Sequence, residues 1–464
     1  MVDITVVFAY LIITLVLGIW ASKNVSSAED YRTGGRRYLA WAVFATLSAS
    51  YIGGGFTLGL TEKTFLYGFI YIAVIWGYSL KEIFIALFVV PRMQAFRTAL
   101  TVGDIMETAF GRNAKIITGI ASILVCVGII GAQVSACGSI IYTFLGTPPM
   151  ISALLAVSIV IIYSTLGGMK SVVTVDTLHF SVFALIIPLV LFFGLQEIGG
   201  ITAFFQNIPK THLVSTELID LKTCIVLFIS WFLGETLVPP YFQRLMIGKT
   251  IKETKLGTLG SGLFSIFFLF LIGCIGIIAL LLEPRLHSAS ALPYVIQTVM
   301  PVGLKGLAIA AMLAVTMSTV DSFLNSVSIT FFHDILVPLK IVGKNKHHEL
   351  IITRLITVTI GVIALFISLG LPNSIDILLY SYQFWTPFVL PPFIMAIFGI
   401  RASGQTFLIS TIAGIMGVLL WNFTRLHSSN ILIDGALEGT IFGVILNSLA
   451  LIICYRFQRK AVLT

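Results

Sequence analysis

The chain has 464 residues, of which 58% are hydrophobic and 10% charged, with a net charge of +8. Water-soluble domains are roughly half apolar and about a quarter charged, so this composition excludes a chain that covers its surface with charge in water. A nucleic-acid partner is excluded as well, because the basic residues are scattered through short loops rather than concentrated on one surface. A lipid bilayer is the expected surroundings.

Residues 1–5 carry no Lys or Arg, and the first basic cluster (Lys23, Arg32, Arg36, Arg37) follows the first apolar stretch. A cleavable signal peptide places its charge ahead of its apolar core. The first span is therefore expected to be retained, with the N-terminus outside. Spans of about 20 apolar residues are predicted at 3–22, 39–61, 69–91, 114–144, 149–166, 176–197, 221–242, 257–282, 303–333, 350–370, 376–399, 405–422 and 435–456. With this topology, 21 Lys and Arg fall on one side, Arg244, Lys344 and Lys460 among them, against 6 on the other. That is the positive-inside asymmetry. It puts the C-terminus in the cytoplasm of a plasma membrane, and the short loops suggest a bacterial inner membrane.

Two spans read as interrupted. The second carries Gly53-Gly54-Gly55 at mid-membrane, which weakens a helix and frees backbone carbonyls. The seventh carries Pro239-Pro240, which removes two amide donors. Non-helical backbone at that depth needs protein or a cavity around it. Interrupted helices five spans apart point to an inverted-repeat transporter with a site at the midplane.

Four charges fall inside spans: Lys81 and Glu82 in the third, Glu235 in the seventh and Asp321 in the ninth. Each costs at least about 2.5 kcal/mol at a helix centre and marks a candidate functional residue. Lys81 and Glu82 are sequence neighbours and are expected to point in different directions, each to its own partner or to water. Glu235 lies just before the Pro pair, where an aqueous cavity is expected. In the ninth span Ser318, Thr319, Asp321 and Ser322 fall within about one turn, and such oxygen-only ligands suit a hard cation. Cys126, Cys137, Cys224, Cys274 and Cys454 lie in apolar stretches without a CxxC pair and read as core residues. The seven His, with His347 and His348 adjacent, form no metal-ligand pattern.

These residues resemble the sodium:solute symporter family. The likeness rests on the loop Ser27-Ala28-Glu29-Asp30-Tyr31-Arg32-Thr33-Gly34-Gly35-Arg36, on Tyr163-Ser164-Thr165-Leu166-Gly167-Gly168-Met169-Lys170-Ser171 with Val175-Asp176 behind it, and on Met317-Ser318-Thr319. The resemblance implies an all-α polytopic membrane protein of about 13 transmembrane helices, a five-plus-five inverted repeat with discontinuous helices. It divides the chain into an extra N-terminal helix and loop (1–38), two repeats (39–202 and 203–402) and two C-terminal helices (403–464).

It also implies a main Na⁺ site from the carbonyls of Ala49, Ile52 and Val315 and the hydroxyls of Ser318 and Thr319. A second Na⁺ site would use Asp176, Ser318, Asp321 and Ser322, with the carboxylate of Asp321 where a hydroxyl is usual. Tyr51-Ile-Gly-Gly-Gly-Phe and Tyr241-Phe-Gln-Arg244 look most like the choline-transporter branch. Its aromatic box is not kept, however, since the box positions hold Tyr51, Ile130 and Val238. Glu235 favours a solute with an amine instead. The substrate-facing candidates are Tyr51, Gly53, Gly54, Glu82, Gln133, Trp231, Glu235 and Gln383. The expectation is a monomeric secondary symporter, not an enzyme, coupling Na⁺ (with H⁺ as the alternative ion) to uptake of a small organic solute. A channel or a transporter-like sensor is the alternative class.

Overall fold

The computed structural model describes all residues except 24, 26, 214, 343–345, 371–380, 426–433 and 464. Lys344 and residues 376–380 of one predicted span lie outside the described residues, as do the side chains of His347, His348 and Lys460. Among the described residues the regular structure is helical, and strand pairing is limited to an isolated bridge between Tyr38 and Gly248.

Helix α1 (Val2–Ser22) shows how the bundle meets its solvent. Val7, Leu11, Thr14, Gly18 and Ala21 are buried, while Phe8, Ile12, Val16 and Trp20 recur every fourth residue on the exposed side. A helix with apolar residues on both faces belongs in hydrocarbon. Asp3, in its first turn, accepts hydrogen bonds from the amides of Gly303 (2.7 Å) and Gly306 (2.9 Å). These amides open a later helix, so α1 caps an element 300 residues away with a charge of the right sign for its dipole.

The chain continues through α2 (Ala40–Tyr51), α3 (Leu60–Tyr67), α4 (Phe69–Phe84), α5 (Val102–Phe110), α6 (Arg112–Leu145) and α7 (Pro149–Glu197). The second half holds α8 (Leu221–Leu233), α9 (Pro239–Leu245), α10 (Ile251–Leu282), α11 (Leu304–Thr330), α12 (Lys346–Gly370), α13 (Thr386–Ile397), α14 (Gly404–Arg425) and α15 (Asp434–Leu463). Nine helices among the described residues are long and apolar enough to cross a membrane. They become ten when α2 and the segment Gly55–Tyr67, bent by 66° at their junction, count as one span.

Three interruptions shape the interior. At the first, α2 stops at Tyr51 and Ile52 takes φ −91°, ψ 82°. At the second, α8 ends at Leu233 and α9 begins with Pro239 and Pro240 in its first turn. A Pro there gives up an amide that has no intrahelical partner anyway. The third lies inside α7, where Gly168 has φ 52°, ψ −140° and the helix continues on both sides. The two predicted spans 149–166 and 176–197 are therefore the arms of one kinked helix. A Cβ on Gly168 would stand 2.5 Å from the Tyr31 carbonyl oxygen, so both the backbone angle and the close approach require glycine.

Helix α11 is the centre of the bundle. Every side chain from Ala308 to Thr330 is buried, and the helix packs against α1, α6 and α7. A helix enclosed on all sides can carry Ser, Thr, Asp and Asn only if its neighbours supply partners.

Candidate ion and solute site

The helix break after α2 frees the last carbonyls of that helix, which have no amide four residues on to bond. Two hydroxyls of α11 meet them. Ser318 Oγ donates to the Ala49 carbonyl at 2.9 Å and lies 3.0 Å from the Val315 carbonyl. Thr319 Oγ1 lies 3.4 Å from the Ser50 carbonyl and 3.3 Å from that of Val315. Four of the five expected main-site residues therefore converge. The fifth, Ile52, is where helical geometry ends, its amide still bonded to the Ser48 carbonyl at 3.1 Å. Ser50 joins the set through its carbonyl and was not anticipated. The group is made of oxygen atoms only, as a hard cation requires.

Gly53 and Gly54 hold the broken strand of chain against α6 and α11. The Gly54 amide donates to Gln133 Oε1 at 2.9 Å. A Cβ on Gly53 would stand 3.0 Å from Thr319 Oγ1 and 3.2 Å from Gln133 Nε2.

The residues expected at a second ion site are distributed differently. Ser318 faces Ala49. The Arg244 guanidinium lies between two others, 3.3 Å from Asp176 Oδ2 and 2.5 Å from Ser322 Oγ. Asp176 also accepts from Thr46, and Asp321 accepts from Tyr163 at 2.6 Å and Ser322 at 3.2 Å. Arg244 is fully buried, which corrects its assignment to a cytoplasmic loop. Counting Lys and Arg near span ends treats every basic residue as solvated, and only the contact with Asp176, 68 positions away, shows otherwise. His179, one turn beyond Asp176, is likewise buried and bonded to the Tyr10 hydroxyl of α1.

A cluster of aromatic and charged side chains forms on the other side of the break. Glu235 lies in the gap between α8 and α9 and accepts hydrogen bonds from three phenols: Tyr241 (2.5 Å), Tyr78 (3.2 Å) and Tyr382. It is 4% exposed, so it meets these hydroxyls rather than the expected aqueous cavity. The Tyr78 hydroxyl also lies 3.1 Å from the Tyr51 carbonyl, an alternative acceptor for its proton that links the cluster to the break. Lys81 and Glu82 do not diverge. Both flank Tyr78 at helical spacings of three and four residues, both are 1% exposed, and Lys81 Nζ lies 4.0 Å from Glu82 Oε1. The Lys81 ammonium stands 3.5 Å from the centroid of the Tyr78 ring, 5.5 Å from that of Tyr51 and 5.9 Å from that of Tyr241. These distances are within cation–π reach.

Trp231 is half-buried and packs on Phe56 with centroids 5.2 Å apart. Gln383 is half-buried beside Tyr382 in the turn before α13. Tyr78, Tyr241 and Tyr382 were missed as site residues. The spacing of Tyr78 to Lys81 and Glu82 could have flagged the first, and no local signal marks Tyr382.

Discontinuous helices whose free carbonyls face hydroxyls, beside buried charges in an apolar bundle, define a helical secondary transporter. The chain belongs to the sodium:solute symporter family, whose model matches residues 31–414. It is a multi-pass Na⁺-coupled solute symporter, not an enzyme. Its relatives include the sodium/sialic acid symporter SiaT of Proteus mirabilis, 24% identical over 90% of this chain and 89% of that protein. The sodium/sialic acid symporter NanT of Aliivibrio fischeri is 27% identical over 89% and 86% of the two chains. The sodium/glucose cotransporter of Vibrio parahaemolyticus is 23% identical over 92% and 86%. A solved structure of a Na⁺-coupled sialic acid symporter in a substrate-bound, outward-open state shares the fold, with a TM-score of 0.86, 21% identity and 98% of each chain covered.

Proposed function

We propose that the chain couples inward movement of Na⁺ to uptake of a small, amine-containing organic solute by alternating access. The observation that carries this reading is the convergence of Ser318 and Thr319 with the carbonyls of Ala49 and Ser50 at the break after α2 and with the Val315 carbonyl one turn earlier in α11. Na⁺ held there ties α2 to α11 and so favours one arrangement of the broken helix. Because Gly53 and Gly54 continue from the same break, ion and solute each stabilise the state that the other prefers. That preference is reciprocal.

The amine is supported by the buried carboxylates Glu82 and Glu235 and by the tyrosines around them, whose faces attract cations. A second Na⁺ at Asp176, Ser318, Asp321 and Ser322 would have to displace Arg244 from Asp176 and Ser322, so we assign one Na⁺ to each cycle. Thirteen spans follow if the arms of α7 count separately and the shorter α8–α9 and α13 segments also cross. The division into 1–38, 39–202, 203–402 and 403–464 then gives two inverted repeats. We place the protein as a monomer in a bacterial inner membrane, N-terminus outside and C-terminus inside.

Ser318→Ala or Thr319→Ala removes one oxygen from a charged ligand set, a loss of about 1.5–3 kcal/mol. The Na⁺ concentration for half-maximal uptake in proteoliposomes should rise about tenfold or more. Unchanged Na⁺ dependence in both variants would reject the site. Uptake that follows a proton gradient and ignores Na⁺ would move the coupling to H⁺.

A further inference from the structure

We infer that Lys81 and Glu82 are a two-pronged receptor for a compact zwitterion, Lys81 taking the solute's carboxylate and Glu82 its ammonium. The inference rests on the symport reading above and names the class of solute.

Among the described residues, Lys81 and Glu82 are the buried charged side chains on which every nitrogen or oxygen lacks a hydrogen bond. Their mutual distance of 4.0 Å is too long to supply one. A buried ion pair offsets its desolvation only with good geometry and further hydrogen bonds, and this pair has neither. The other fully buried charges each have at least one hydrogen-bonded atom. Glu235 receives three phenolic donors, and Arg244 and Asp176 have each other plus the hydroxyls of Thr46 and Ser322. Single buried oxygens such as Asp176 Oδ1 and Asp334 Oδ2 also lack a partner, but each of those carboxylates is bonded through its other oxygen. The Tyr51 ring stands beside the same pair, its centroid 5.5 Å from the Lys81 ammonium, and on the adjoining helix α8 the Trp231 indole N–H lacks a partner.

A ligand with one charge cannot satisfy this arrangement. An amine would pair with Glu82 and repel Lys81, and an acid would do the reverse. A molecule carrying both groups a few bonds apart answers both, and Tyr51 and Trp231 remain to orient the rest of it. The tyrosine faces now around the Lys81 ammonium then become available to the solute's own cationic group.

The test uses the purified full-length chain in lipid nanodiscs with Na⁺ present, followed by thermal unfolding, since a ligand of the folded state raises its stability. The probes are the twenty protein amino acids and glycine betaine. Each zwitterion that binds is compared with its carboxamide and with its deamino acid, and glucose and sialic acid are included. At least one zwitterion should raise the melting temperature, and its two single-charge analogues should bind at least about tenfold more weakly. Lys81→Gln should weaken the zwitterion about tenfold or more without weakening its carboxamide, which no longer meets the lysine charge, and Na⁺ should stabilise the solute-free variant as it does the unaltered chain.

The inference is overturned if no zwitterion stabilises the chain, if the carboxamide binds as well as the acid, or if Lys81→Gln binds the zwitterion normally. The analogue comparison on the unaltered chain decides the matter even if Lys81→Gln fails to fold. Loss of stabilisation by Na⁺ itself would strike the symport reading instead, so the two failures are distinguishable.

Discussion

Gly53 has a hydroxyl and an amide so close that a single methyl group would have to move them. Gly53→Ala would place its Cβ 3.0 Å from Thr319 Oγ1 and 3.2 Å from Gln133 Nε2. Thr319 must then turn or retreat. The half-saturating Na⁺ concentration is expected to rise several-fold with little change in melting temperature, and a Na⁺ titration of uptake checks this. At this scale the sequence was partly legible. Ser318 and Thr319 stand out because they cluster with Asp321 and Ser322 within about one turn of a membrane span, where such groups require partners. Arg244 does not stand out, because a basic residue near the end of a span has the same local signature whether it meets water or Asp176. Lys81 and Glu82 were visible as costly charges. Their orientation was misread because long side chains from adjacent positions can bend toward a common point.

Helices are broken here by different chemistry in each case. The Gly53-Gly54-Gly55 run and the Pro239-Pro240 pair announced themselves, since one lacks side chains and the other lacks amide donors. The kink at Gly168 was read instead as a loop, because Lys170, Thr174 and Asp176 lower the apolar character of a stretch that stays helical on both sides of one residue. A short helix outside the spans offers a cleaner test of element stability. Thr101 caps α5 in a capping box with Asp104 and also donates to Asp334 at 2.7 Å. Burial pushes the Asp104 carboxyl up, but Lys115 at 2.7 Å and the amides of Leu100 and Thr101 bring it to a net position below its ordinary value. Its contribution is whole above the ordinary carboxylate range and fades as pH falls through the lowered value. At neutral pH, Thr101→Ala should therefore cost about 1–3 kcal/mol, read as a lower melting temperature with the half-saturating Na⁺ unchanged.

For the molecule as a whole, composition and charge asymmetry were enough to show a multi-pass helical bundle, because hydrocarbon imposes them on any chain that crosses it. What they could not show is which helix lies at the centre. Helix α11 is no more apolar than its neighbours, and it is enclosed because α1, α6 and α7 wrap it and Asp3 caps it from outside its own sequence region. Such long-range pairings leave no periodic trace.

The packing of Trp231 on Phe56, with its indole N–H unbonded, gives the protein an optical reporter of its own. Of the six tryptophans, Trp20 and Trp41 are exposed on the outer surface of the bundle, Trp76 and Trp385 are tied to backbone carbonyls, and Trp421 packs on Phe442 between α14 and α15. Solute that reaches the indole of Trp231 changes its polarity and hydrogen bonding, so ultraviolet emission should shift on binding without any dye. Trp231→Phe should abolish that shift while Na⁺ still raises the melting temperature. A shift that survives the substitution would place the solute elsewhere.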